Sequence, residues 1–172
     1  MKTKTYFKFP SRRLPVMTLL LVIVSLLNLA PQSTWASIET PFQANFITQF
    51  TTTLEFPLLY VTVSGKGSAS YLGTTIASSG DQVVNLVDGS GTATYILTAG
   101  NGDKLTLALV VQPGGTIDVE GGVTFSGTYT VAGGTGRFHD NTGSGVFAGS
   151  ALFVSPTDGI GSFSLVGLLT TR

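Results

Sequence analysis

The 172-residue sequence contains no cysteine and a single histidine. Without cysteine the chain can form no disulfide bond, and it cannot carry the lipid-modified cysteine of a bacterial lipoprotein. Zinc sites are built mainly from cysteine and histidine, so these residues are too few for one. The fold must therefore be held together by burial and hydrogen bonding, and we expect no metal.

Charged residues are also scarce, at 10% of the chain. Five of the nine basic residues lie within the first 36 positions: Lys2, Lys4, Lys8, Arg12 and Arg13. The segment 37–172 keeps four basic residues against nine acidic ones. Binding to nucleic acid or to an anionic membrane requires a basic surface, so this balance excludes both partners.

The basic N-terminal stretch precedes an apolar run, VMTLLLVIVSLLNLA (16–30), and a short exit that ends in small residues at Ala36. This order is typical of a secretory signal peptide cleaved after Ala36. A helix that spans a bilayer needs about 20 apolar residues, so an uncleaved N-terminal membrane anchor is the alternative. We predict a signal peptide over 1–36, a single folded domain over 37–172, and export to the periplasm, the cell surface or the medium.

Apolar residues at helical spacing are rare after position 36, whereas two-residue alternation between glycine-bearing turns is frequent. In FQANFITQFTT (42–52), one face carries Phe42, Ala44, Phe46 and Phe50. Residues 58–78 are interpreted as one long bent strand, or as two strands joined at Gly65 and Gly67. Further strands are predicted near 82–87, 92–99, 104–112, 122–132, 143–155 and 160–171.

Eight or nine strands joined by short polar turns predict an up-and-down antiparallel meander. Such a sheet is expected to close, because closure removes its exposed edges. Glycines interpreted as lying within strands favour the tight coiling of a small barrel: Gly73, Gly127, Gly149 and Gly167. We therefore predict an all-β fold with a single closed antiparallel β-barrel of eight to nine strands. Its interior should be just filled by side chains or wide enough for one small ligand.

Five glycines, an arginine and the single histidine are concentrated in VAGGTGRFHDNTGSG (131–145). His139 stands where a dinucleotide-binding motif has its third glycine, and no helix-forming sequence follows. This segment is therefore interpreted as a turn between strands, with Phe138 closing one end of the barrel. We expect no cofactor.

The same segment resembles the GGTG-x-F turn of plant dirigent proteins and, more loosely, of the allene oxide cyclase barrel. TATY…LTA…NGD and GGTGRF…TGSG are also similar to segments of secreted bacterial proteins of this barrel group, most of which lack an assigned activity. The resemblance implies an exported eight-stranded barrel, usually trimeric, which in dirigent proteins steers the coupling of phenolic radicals without a cofactor. Dirigent proteins usually continue with alanine–arginine–glycine, where this chain has Asn141, Thr142 and Gly143.

Seven residues are candidates for ligand binding: Arg137, Phe138, His139, Asp140, Tyr71, Tyr95 and Tyr129. His139 and Asp140 form either an acid–base pair or a solvated loop pair. Arg137 binds an anionic or carbonyl-bearing ligand, or it forms a salt bridge with a carboxylate such as that of Asp140.

Tyrosines interpreted as lying within strands could offer hydroxyl groups to an apolar pocket, or they could pack in the core: Tyr60, Tyr71, Tyr95 and Tyr129. Asp118 and Glu120 lie two positions apart, which suits either calcium binding or the solvated face of an edge strand. Catalytic residues remain unassigned, because the glycine–x–serine–x–glycine motif of a nucleophile elbow is absent.

Two functions follow from these observations. The first is a secreted or envelope-associated, non-enzymatic barrel that binds a small apolar or phenolic ligand or serves as a structural module. The alternative is a cofactor-free dirigent-like or allene oxide cyclase-like enzyme, which guides a reactive intermediate inside the barrel. Strands KLTLALVV (104–111) and FSLVGLL (163–169) are apolar on both faces, which predicts a homo-oligomer, either a trimer or a dimer. A filled interior would leave only a role for the barrel surface.

Overall fold

A computed structural model of the chain describes residues 37–116 and 121–171. Eight strands account for most of them: β1 (Ile38–Glu55), β2 (Leu58–Ala69), β3 (Gly73–Asn85), β4 (Gly91–Ala99), β5 (Lys104–Val111), β6 (Gly122–Gly134), β7 (Thr142–Phe153) and β8 (Asp158–Thr171). A single turn of 3₁₀ helix, Gly136–Phe138, lies between β6 and β7.

The strands form a closed antiparallel barrel in which each strand pairs with its neighbours along the chain. β1 pairs with β8 from Ile38↔Thr171 to Thr51↔Asp158, so no edge strand remains. The prediction of a closed antiparallel barrel is confirmed, with eight strands. In such a meander successive turns alternate between the two ends. We call the end with the turns after β1, β3, β5 and β7 the β1–β2 end, and the opposite one the β2–β3 end.

Alternation along β1 shows how the sequence directs side chains to the interior. Residues from Phe42 to Thr52 are alternately buried and exposed. Phe42, Ala44, Phe46 and Phe50 are all buried, as the pattern predicts. An antiparallel strand with one wet face requires this two-residue period, because successive side chains point to opposite sides of the sheet.

The interior is filled by aromatic rings that lie over glycines of neighbouring strands. A Cβ built on Gly127 would lie 2.8 Å from the ring of Phe147, and one on Gly149 would lie 2.6 Å from that of Phe125. The Tyr129 ring covers Gly145 of β7 in the same way. Because glycine has no side chain, a ring from the neighbouring strand can lie over it on the inner face of the sheet. These pairs therefore allow large side chains to fit inside a small barrel.

Two strand boundaries differ from the prediction. β2 continues through Gly65 and Gly67, and the chain turns instead at residues 70–72. Both glycines lie where β1 approaches closely, since a Cβ on Gly65 would lie 2.6 Å from the Thr48 side chain and one on Gly67 would lie 2.7 Å from the Phe46 ring. The strand predicted near 82–87 is the second half of β3, which follows a break in register between Ser78 and Val83. Gly73 begins β3 rather than lying within a strand.

The predicted signal peptide and its alternative, the N-terminal anchor, lie outside the described residues, as do Asp118 and Glu120. Within 37–116 and 121–171, no helix has the length and apolar character needed to cross a bilayer.

Candidate functional site

The glycine-rich turn between β6 and β7 packs against the turn between β4 and β5. The Lys104 backbone N–H donates to Thr135 Oγ1 at 3.0 Å, and the Thr135 N–H donates to the Lys104 carbonyl oxygen at 2.8 Å. Asn101 Nδ2 donates to Asp103 Oδ2 at 2.9 Å, which orients the carboxylate. The NGD and GGTGRF segments are therefore one structural unit at the β2–β3 end.

Arg137 lies on this unit, and its ion-pair partner is Asp103. Its Nε atom is 3.6 Å from Asp103 Oδ2, and its side chain is 51% exposed. The guanidinium carbon lies 4.9 Å from the centre of the Phe138 ring. The 3₁₀ turn directs the arginine towards the β4–β5 turn, so Asp140, the predicted example of a partner, does not pair with it. This exposed ion pair is expected to contribute little to stability.

Phe138 is buried, and it closes the β2–β3 end of the barrel. Its main chain and Cβ pack against Gly134, where an added Cβ would lie 2.8 Å from the Phe138 Cβ. Leu72, in the turn between β2 and β3, is also buried and belongs to the same core. Phe138 therefore belongs to the packed core of the barrel.

His139 and Asp140 contact each other, because the chain turns here instead of extending. His139 Nδ1 lies 2.8 Å from Asp140 Oδ1. Their side chains are 78% and 70% exposed, so the pair faces solvent. Without a surrounding cavity, nothing excludes water from a reaction at this pair.

The tyrosines are dispersed over the barrel. Tyr95 and Tyr129 are buried, whereas Tyr60 is exposed on β2, and Tyr71 is exposed in the turn at 70–72 rather than within a strand. Tyr71 has a backbone φ of 66°, in the left-handed region that is uncommon for residues other than glycine. These four side chains do not form a common pocket.

The two buried tyrosines differ in their hydrogen bonding. Tyr95 donates to Gln82 Oε1 at 3.0 Å and packs edge-on against Phe163. Burial raises its pKa far above the ordinary value. The Tyr129 hydroxyl has no hydrogen-bond partner among the described residues, and burial raises its pKa to about 12. Both rings are therefore part of the packing.

A small cavity of about 10 Å³ lies next to Tyr95. Its lining residues are Gln82, Ala93, Tyr95, Leu109, Val111, Phe125, Phe147 and Phe163. A cavity needs about 10–15 Å³ to hold a single water molecule. This space is too small for an organic ligand or a reactive intermediate.

A much larger groove of about 500 Å³ lies on the outside of the barrel, across β6, β7 and β8. We call it the wall groove, and its lining residues are Gln112, Ser126, Gly127, Thr128, Val146, Phe147, Ala148, Ser164 and Val166. The candidate site residues predicted from sequence do not include any of these. The sequence nevertheless contained an indication of this surface, because β6 and β7 contain no charged residue.

Metal-ligating side chains do not cluster in the part of the chain that the structure describes. No group of three or more histidine and acidic residues there is arranged to hold a metal ion.

No family model and no curated protein matches the sequence. A solved structure described as that of a pterocarpan synthase dirigent protein is similar to this chain, with a TM-score of 0.42 and 12% sequence identity. The similarity covers 81% of this chain and 88% of the dirigent protein. At this identity the similarity concerns the fold alone.

Proposed function

We propose that this chain is an exported or envelope-associated structural module, non-enzymatic, which self-associates through the outer wall of its barrel. The observation that carries the proposal is the filled interior, where the cavity next to Tyr95, of about 10 Å³, is too small for an organic ligand. The function of the barrel would then have to use its outer surface and not its interior. Export is supported by the arrangement of basic, apolar and small residues over 1–36.

The outer wall at β7 and β8 has the character of an interface. Val146 and Val166 form a cross-strand pair and are 57% and 52% exposed. Val110 of β5 is exposed on the same side, and Thr128 of β6 lies between it and Val146 in the strand register. Among the residues of β6, β7 and β8, Asp158 alone is charged. An exposed apolar surface without charges favours association with a similar surface.

Sedimentation velocity of the chain processed after Ala36, over a range of concentrations, tests this proposal. We expect a dimer or trimer, and we expect Val146→Lys/Val166→Lys to dissociate it because lysines would be buried in the interface. Ile76→Lys/Ile96→Lys is the matched control, since β3 and β4 lie across the barrel from β7 and β8, and these side chains are 52% and 36% exposed. A chain that stays monomeric at high concentration would overturn the proposal, as would equal dissociation by the control.

A second function, binding of a small apolar or phenolic molecule, is favoured by the volume of the wall groove. Ligand sites generally enclose about 300–1,000 Å³, and the groove offers about 500 Å³ lined by valine, serine and threonine. The dirigent-like or allene oxide cyclase-like alternative, also suggested by the sequence resemblance, would have to use this groove. Native mass spectrometry of the chain purified from its own host tests this function: a retained mass that is lost in Val146→Lys/Val166→Lys supports it, and a bare chain argues against it.

A further inference from the structure

The turns at the β1–β2 end carry exposed apolar side chains. Phe56 is 79% exposed in the turn after β1, Val87 is 73% exposed in the turn after β3, and Val154 is 64% exposed in the turn after β7. Leu54 and Leu86 flank the first two and are 61% and 46% exposed. Each of the three turns therefore presents an apolar side chain to solvent at the same end of the barrel.

Hydrogen bonds connect these turns to their neighbours. The Leu86 N–H donates to the Pro57 carbonyl oxygen at 2.9 Å, which joins the turns after β1 and β3. The Thr52 N–H donates to the Thr157 carbonyl oxygen at 2.7 Å, which joins the end of β1 to the turn after β7. The apolar side chains thus stand on a connected rim, which we call the apolar rim: Leu54, Phe56, Leu86, Val87 and Val154.

The charges near the apolar rim are negative. Glu55, Asp88 and Asp158 are exposed at the β1–β2 end. Among the described residues, Lys104 and Arg137 lie at the opposite end, and Lys66 lies in the second half of β2, nearer that opposite end. Two copies placed rim to rim would bring like charges together, which disfavours self-association through this end.

We propose that the apolar rim inserts into the surface of a zwitterionic, phosphocholine-bearing lipid layer. These apolar side chains project singly from separate turns. A lipid layer can deform around each of them, whereas a protein partner would need a rigid surface of complementary shape. The cationic choline groups complement the three carboxylates, whereas anionic lipid would repel them. The opposite end of the barrel, with Asn101, Arg137 and His139 on its turns, would face water.

A fluorescent probe on single cysteines of the full chain tests this orientation, because the sequence has no native cysteine. A polarity-sensitive fluorophore is attached to Val87→Cys in one protein and to Asn101→Cys, at the opposite end, in the other. Both proteins are also prepared without residues 1–36, as expected after cleavage behind Ala36, so that membrane attachment by that segment cannot account for a response. With phosphatidylcholine vesicles we expect a blue shift and a several-fold rise in emission for the probe at 87, and no change at 101.

The apolar side chains themselves are tested with the probe kept at position 87. Phe56→Ser/Val154→Ser should abolish the emission change, while Ile76→Ser/Ile96→Ser, exposed on β3 and β4, should leave it intact. Replacing part of the phosphatidylcholine with phosphatidylserine should weaken the response. The proposal would be overturned if the emission of the probe at 87 did not change with vesicles, or if the probe at 101 responded equally. It would also be overturned if the emission at 87 changed on raising the protein concentration without vesicles, since that result would indicate a protein partner instead.

Discussion

The Asp103 carboxylate lies where a side chain on Gly136 would have to be. Gly136 has a backbone φ of 59°, which also favours glycine at this position. The β4–β5 turn and the 3₁₀ turn of the glycine-rich segment therefore fit together only because position 136 lacks a Cβ. Gly136 thus serves the closure of the barrel end, together with buried Phe138.

Gly136→Ala is expected to destabilise the barrel by about 1–3 kcal/mol, because a non-glycine residue in the left-handed region is strained. The overlap with Asp103 adds to this strain. Urea denaturation measures the loss. Gly100→Ala is the matched control, since nothing lies within 4 Å of a Cβ there and its φ is not positive. Equal stability of the two variants would contradict the role assigned to the contact between Asp103 and position 136.

Phe147→Ala is expected to cost about 3–5 kcal/mol, the usual cost of truncating a buried phenylalanine. The ring lies over Gly127 and borders the small cavity next to Tyr95, so its removal should enlarge that cavity into an apolar site. Benzene should then raise the melting temperature of the variant and leave that of the wild type unchanged. Ile76→Ala, at a 52% exposed residue of β3 outside the proposed interface, should change stability by less than about 0.5 kcal/mol. A variant that benzene does not stabilise would indicate that the interior collapses around the missing ring.

Tyr71→Asn is expected to stabilise the chain by about 0.5–1 kcal/mol, because asparagine tolerates the left-handed region better than an aromatic residue does. Tyr71 is exposed, with a backbone φ of 66°, so little packing is lost. Thermal unfolding provides the measurement. Tyr60→Asn on β2 should instead destabilise, since asparagine is unfavourable in strands. A lower melting temperature for Tyr71→Asn would mean that the tyrosine makes stabilising contacts in solution.

Tyr129→Phe is expected to raise stability by about 1 kcal/mol at neutral pH, because a buried hydroxyl without a partner costs about 1–3 kcal/mol in desolvation. The effect should depend on pH. Burial raises the pKa of Tyr129 from 10.0 to about 12. Folding therefore favours the neutral form, and this contribution to stability is complete below pH 10 and is lost as the pH rises towards 12.

The Tyr129→Phe variant should accordingly lose less stability than the wild type between pH 9 and 12, measured as the free energy of unfolding in urea. Tyr95→Phe provides the control at neutral pH, because its hydroxyl donates to Gln82 and its removal should be destabilising. If both phenylalanine variants behaved alike at neutral pH, the Tyr129 hydroxyl would have a partner in solution.

Local patterns in the sequence determined most of the fold. The alternation over 42–52 placed Phe42, Ala44, Phe46 and Phe50 on one face, and that face is the interior. Short turns without crossovers predicted the meander, and its closure follows from the cost of exposed edges. The same local reasoning left open whether the chain turns at Gly65 and Gly67, because a glycine within a strand can mark either a turn or the close approach of a neighbouring strand.

What only the tertiary structure decided is whether the barrel encloses a site. Tyr95 and Tyr129 point inward, which fits either a pocket or a packed core, and the outcome depends on the volumes of side chains from all around the barrel. The partner of Arg137 was likewise decided by the approach of Asp103, 34 positions away in the chain, and not by the adjacent Asp140. Periodicity reports the direction of each side chain, whereas cavities and ion pairs depend on distances between residues that are remote in sequence.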